Sequence, residues 1–146
     1  MPQKPFIPVL RELARAYQAF ESYSASHIRT LGLTPSQFDI VATLGNTDGM
    51  SFKELGEKTL ITKGTLTGVV DRLEAKNLVR RVASASDGRS QIVQLTGRGQ
   101  ALFERIFPAH LAHVEQAFAR LSQADLDGME AELQKLRLAL SAASAK

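Results

Sequence analysis

The sequence predicts a mainly α chain with one small β-hairpin. Three observations predict it. Apolar residues recur at steps of three and four along most of the 146 residues, the spacing of a helix with one buried face. Five Ser or Thr residues (Thr34, Ser51, Thr62, Thr96 and Ser122) stand where such a pattern begins, as helix-capping residues do. Only between residues 78 and 96 do short Val- and Ile-bearing runs flank an Asp-Gly pair, which reads as two strands and a turn.

Taken in order, Leu10, Leu13, Tyr17, Phe20, Ser24, His27 and Leu31 step by 3, 4, 3, 4, 3, 4, so residues 9–31 read as one amphipathic helix that Gly32 stops. Thr34-Pro35-Ser36-Gln37 starts the next. Thr34 is the N-cap, Pro35 sits where its missing N–H costs nothing, and Gln37 closes a capping box. Phe38, Val41 and Leu44 are its buried face, and the polar cluster at residues 45–49 ends it. Ser51 and Glu54 frame a second capping box for a short helix with Phe52, Leu55 and Thr59 inward. Thr62 caps a third helix that buries Leu66, Val69, Val70 and Leu73 and ends at Asn77, which tolerates a left-handed backbone. Residues 78–83 and 91–96 are the strands. Thr96 caps a long helix carrying Leu102, Ile106, Leu111, Val114, Phe118 and Leu121, with a kink expected at Pro108. Ser122-Gln123-Ala124-Asp125 starts the last helix, with Leu126, Met129, Leu133, Leu136 and Leu140 on one face and a frayed tail.

Composition excludes several classes. A hydrophobic fraction of 44% is enough to bury a core, so the chain is not disordered. With no Cys there is no disulfide scaffold, thiolate metal site or thiol chemistry. No apolar run reaches the ~18 residues of a membrane helix, and charges precede any apolar run at the start, so a soluble cytoplasmic protein is expected. The net charge of +3 is unevenly placed: residues 1–57 carry −1, residues 58–90 carry +4, and residues 91–146 carry 0. A basic stretch between neutral flanks is the footprint of nucleic-acid binding, although a solvated basic surface has the same arithmetic.

Two short helices joined by a tight turn and followed by a hairpin make a helix-turn-helix with a wing. Once the apolar face of the second helix is buried, Thr62, Lys63, Gly64, Thr67, Gly68 and Asp71 face out. A small, polar, basic N-terminal half suits entry into a major groove. Gly64 and Gly68 lie one turn apart there and cost about 1 kcal/mol each relative to Ala. Either close approach to DNA or close packing against a neighbouring helix accounts for them. Arg89 at the hairpin tip can reach a minor groove or pair with Asp71 or Asp87. Arg80 and Arg81 point to opposite sides of their strand, so at most one faces phosphate.

These stretches resemble the MarR family of winged helix-turn-helix regulators over residues 31–107. The resemblance rests on LTPSQFDIVATL (33–44), FKELGEKTLITKGTLTGVVDRLEAKNLVRR (52–81) and DGRSQIVQLTGRGQ (87–100). VDRLE at 70–74, with Asp-x-Arg at 87–89 and Leu95-Thr96, is the most specific combination. Asn77 stands where the family usually has Gly, and Gly68 where many members carry a larger polar or basic residue. The resemblance implies that Thr62, Lys63, Thr65 and Thr67 meet the major groove and Arg89 the minor groove. Gly64, Gly68, Arg72, Arg81 and Asp87 complete the expected DNA-facing set. It also implies an N-terminal dimerisation helix (1–32), a DNA-binding core (33–97) and C-terminal dimerisation helices (98–146), assembled as a homodimer on a palindromic site. Its function would be repression relieved by a small aromatic anion. Tyr23, His27, Phe38 and Arg105 are the candidates for that ligand, His27 alternatively being a hydrogen-bonded structural residue.

Rival readings are few. No catalytic constellation or phosphate-binding loop is present, so no enzyme and no cofactor are expected. His110 and His113, at i, i+3, are an alternative regulatory metal site, on a helix flank expected to be partly solvated. An interaction module that dimerises without reading DNA is the third class.

Overall fold

A computed structural model describes residues 4–86 and 88–145. The chain is mostly helical, with one three-stranded antiparallel sheet. It divides into two compact units, Met1–Ala112 and His113–Lys146.

In the first unit, α1 (Ile7–Thr30) buries only Ser24, Ala25 and Ile28, near its C-terminal end. Gly32 turns the chain after it at φ +84, a conformation that costs a residue with a Cβ. α2 (Pro35–Leu44) begins at the expected capping box: the Gln37 N–H donates to Thr34 Oγ1 at 3.2 Å, and the Thr34 N–H donates to Gln37 Oε1 at 3.1 Å. Its inner face is Phe38, Val41 and Leu44, joined by Ile40, which is fully enclosed.

A strand not expected from the sequence follows, β1 (Met50–Ser51). It pairs Met50 with Val93 and Ser51 with Ile92. Ser51 then caps α3 (Phe52–Lys58) by the expected box with Glu54. α4 (Lys63–Ala75) buries Leu66, Val69, Val70 and Leu73, as expected. Thr62 does stand at its N-cap but makes no side-chain cap bond. Its hydroxyl donates instead to Thr65 Oγ1 at 3.1 Å. α4 stops in a Schellman motif: the Leu78 N–H donates to the Leu73 carbonyl, the Asn77 N–H to that of Glu74, and Asn77 is left-handed at φ 62.

β2 (Val79–Ala83) and β3 (Gln91–Leu95) form the hairpin, pairing Val79 with Leu95 and Ala83 with Gln91. The sheet order is β1-β3-β2, so β3 is central. Thr96 begins α5 (Gly97–Phe118): its hydroxyl accepts from the Gly99 N–H at 3.0 Å and donates to the Asn77 carbonyl at 2.6 Å. The helix runs through Pro108 without a break. Gly99 is obligatory there, because a Cβ would sit 2.0 Å from the Leu78 carbonyl oxygen. The core gathers Ile40, Val41, Leu44, Leu55, Val70, Leu73, Val79, Val93 and Ile106 from α2, α3, α4, the sheet and α5. Burying each such side chain contributes about 1.5–3 kcal/mol.

In the second unit, α6 (Gln123–Ser144) starts after Ser122, as expected, and Ser122 and Asp125 form a capping box there. It buries no residue fully, and Met129, Leu133, Leu138 and Leu140 are exposed.

Candidate nucleic-acid interface

The sequence folds α3 and α4 as a helix-turn-helix because the turn between them is anchored from both sides. Inside, Thr59 and Ile61 are buried. Outside, the exposed Leu60 N–H donates to Asp39 Oδ2 of α2 at 2.9 Å. Asp39 is half-buried, and burial raises its carboxyl above the usual range against the lowering effect of that same hydrogen bond.

Along α4, Thr62, Lys63, Gly64, Thr65, Thr67, Asp71 and Arg72 are exposed and Gly68 is half-exposed. A Cβ on Gly64 or Gly68 would meet nothing within 4 Å. Packing against a neighbouring helix of this chain therefore does not account for them. Lys63 and Arg72 make no ion pair among the described residues, so their charge is available to an external anion.

The two strand arginines divide as the alternation requires. Arg81 turns back onto α4. Its guanidinium pairs with Asp71 and with Glu74, and it lies 5.6 Å from the centre of the Phe52 ring of α3. Hydrogen bonding to Asp71 is the largest influence and raises its proton affinity above the ordinary arginine value. The wing strand is thus strapped to both helices of the motif, and Arg81, expected among the DNA-facing residues, is committed within the chain. Asp71, considered as a partner for Arg89, serves Arg81 instead. Arg80 is exposed on the other side, its Nε donating to Gln94 Oε1 at 2.9 Å. Arg89 is exposed at the hairpin tip, which the Ser84 N–H closes by donating to the Ser90 carbonyl at 2.9 Å. Asp87 lies outside the described residues.

The ligand candidates do not all meet. His27 Nδ1 and His110 Nδ1 are 2.9 Å apart and hydrogen-bonded, and the two rings stack. Ser24 Oγ bonds His110 Nε2 at 3.0 Å, and Phe38 sets its edge against the same imidazole. Tyr23 is half-buried beside Ser24, whereas Arg105 is exposed on α5 and lines a separate open groove. His110, expected on a partly solvated flank as a metal ligand, is buried, with both ring nitrogens engaged by Ser24 and His27. Among the described residues no group of three His, Cys, Asp or Glu side chains is placed to hold a metal ion. His110 joins His27 across 83 positions, which no local pattern signals. The Asp39 bond to the turn and the Arg81 strap have no sequence motif either.

Among the described residues no helix is long and apolar enough to cross a membrane. The MarR family profile matches residues 31–90. The HTH-type transcriptional regulator MhqR of Bacillus subtilis is 34% identical over 115 residues, 79% of each chain. The homoprotocatechuate degradative operon repressor of Escherichia coli is 31% identical over 75% of this chain and 71% of its own. Among solved structures, Bordetella bronchiseptica BpsR, whose DNA binding is regulated by 6-hydroxynicotinic acid, superposes with a TM-score of 0.81 at 28% identity. That match covers 94% of this chain and 98% of BpsR. The helix-turn-helix, the hairpin and these relatives agree: the chain belongs to the MarR family of winged-helix transcriptional regulators, DNA-binding proteins that are not enzymes.

Proposed function

We propose that this chain is a cytoplasmic, homodimeric repressor that reads a palindromic operator and is released by a small organic anion. The observation that carries the reading is the outer face of α4. From Thr62 to Arg72 it is small, polar and cationic, and it holds two glycines that no contact among the described residues requires. Each glycine costs helix stability, and a helix seated close against base edges recovers that cost. In this reading Thr62, Lys63, Thr65 and Thr67 line the major groove and Arg89 enters the minor groove.

Dimerisation is supported by apolar surface that this chain leaves uncovered. Val9, Leu10, Leu13, Tyr17 and Phe20 are exposed on α1, and Met129, Leu133 and Leu140 on α6. Exposed apolar faces of this extent mark an interface, and a two-fold axis would set the two α4 helices ~34–36 Å apart, one DNA turn. Relatives described as repressors, and one described as ligand-regulated, support the remainder.

The test is a salt titration of DNA affinity. Lys63→Ala lowers the slope of log K against log salt by about 1 if Lys63 touches phosphate. Arg89→Ala weakens binding about tenfold or more while circular dichroism shows the fold unchanged. Unchanged affinity in Arg89→Ala sinks the wing contact.

A further inference from the structure

Leu60, in the turn between α3 and α4, is 73% exposed, more than any other large hydrophobic residue described. Among the described residues every other exposed large hydrophobic lies before residue 21 or after residue 110. The winged-helix core therefore shows one bare apolar side chain, and it stands at the N-terminal end of α4, next to the DNA-facing residues.

The fold does not require a leucine there. Thr59 and Ile61 on either side are buried. In extended backbone, which Thr59 adopts at φ −110 and ψ 167, successive side chains face opposite ways, so Leu60 is turned outward. The bond that holds it is made by the main chain: its N–H donates to Asp39 Oδ2 at 2.9 Å, as that of any residue but proline would. Thr59 is held as well, its N–H and its hydroxyl both donating to the Leu55 carbonyl, at 3.0 and 2.6 Å. A side chain on so fixed a backbone can bind without the cost of ordering a loop.

The surroundings of Leu60 are polar and cationic. Lys58 and Lys63, two residues before it and three after, are exposed and make no ion pair among the described residues. Thr62 is two residues on, so its Cα is at most about 8 Å from that of Leu60. An α4 helix that seats Thr62 and Lys63 in a major groove brings Leu60 to the same stretch of duplex. The apolar group that a base edge shows in that groove is the thymine C5 methyl. A protein partner fits less well. Protein interfaces are built on several apolar or aromatic side chains packed together, and Leu60 has no exposed large apolar companion in the described core.

We infer that Leu60 is a specificity-determining residue, packing on the C5 methyl of one thymine in each half-site while Lys58 and Lys63 hold nearby phosphates. This rests on the proposed operator reading and adds to it a base position that hydrogen bonding does not specify. Burying one methyl-sized group changes affinity about fourfold.

The experiment uses the full chain and the duplex it selects from a random pool. Each thymine of the half-site is replaced in turn by deoxyuridine, which keeps the base pair and removes only the methyl. Fluorescence anisotropy measures the affinity of wild type, Leu60→Ala and Leu60→Met, and circular dichroism checks that both variants keep the fold. The expected result is one thymine at which deoxyuridine weakens wild-type binding about fourfold and leaves Leu60→Ala binding unchanged. Leu60→Ala binds the thymine duplex as weakly as wild type binds the deoxyuridine one, and Leu60→Met, apolar and of similar size, keeps the discrimination. Deoxyuridine that costs wild type nothing at every position overturns the contact, whatever the variants do. A penalty of the same size in Leu60→Ala overturns it too, because another residue then reads the methyl. Equal affinity of wild type and Leu60→Ala for the selected duplex overturns it and leaves Leu60 to a protein contact. These three outcomes leave the operator reading standing, whereas a chain that selects no duplex overturns that reading and the contact together.

Discussion

Asp39 is a carboxylate used against its own solvation. It accepts the Leu60 N–H in a half-buried position, and burial raises its pKa. A carboxyl whose folded pKa lies above its unfolded value adds stability below the unfolded value, and loses that contribution as pH rises through the folded one. The ionised group is thus a cost at neutral pH. Asp39→Asn keeps an oxygen acceptor for the Leu60 N–H without the charge. Urea unfolding at fixed protein concentration is expected to find the variant at least as stable as wild type at neutral pH, with the difference shrinking toward about pH 4, where the free carboxyl itself titrates. A variant less stable than wild type at neutral pH, with the deficit shrinking toward about pH 4, would mean instead that the charge itself is favourable. Arg81 illustrates the limit of reading single residues. Strand alternation separates it correctly from Arg80, but its partners Asp71 and Glu74 come from a helix 7 to 10 residues earlier. Local spacing does not reveal that the wing arginine on that side is a strut.

At the scale of elements, the helices were legible because each declares itself locally. Capping boxes at Thr34 and Ser51, the helix start at Ser122 and the left-handed Asn77 stand where the sequence puts them, since caps depend on a few adjacent residues. Thr62 differs because its hydroxyl is turned to Thr65. β1 was not legible: two residues carry no alternation, and Met50 and Ser51 become a strand only because β3 is there to pair with them. On α4 the two glycines give a test with opposed outcomes. Gly68→Ala is expected to stabilise the folded chain by about 1 kcal/mol, since the added methyl meets nothing within 4 Å. The same change is expected to weaken DNA binding several-fold by holding the helix off the groove. Thermal melts and a DNA titration check the two halves, and unchanged DNA affinity would contradict the close-approach role of Gly68.

The whole molecule combines a basic middle with neutral flanks. Residues 58–90 hold +4 of a total of +3, the first segment being −1 and the last neutral. That partition needed no structure, because charge is counted along the chain. The ligand set was only partly legible: His27 and Phe38 converge on His110 through tertiary packing, while Arg105 faces a different groove. The uncovered apolar residues of α1 and α6 predict that the wild-type chain sediments at twice its monomer mass at micromolar concentration. Leu10→Asp combined with Leu133→Asp is expected to shift it toward the monomer; a wild-type chain that sediments as a monomer would contradict the dimer. The central claim, that two copies present their α4 helices to successive major grooves on one face of DNA, is tested most directly by selecting bound duplexes from a random pool. The expected result is a palindrome whose half-sites are centred one helical turn apart, about 10–10.5 base pairs or a small multiple of that. Recovery of no preferred sequence, or of a single unpaired half-site, would contradict it.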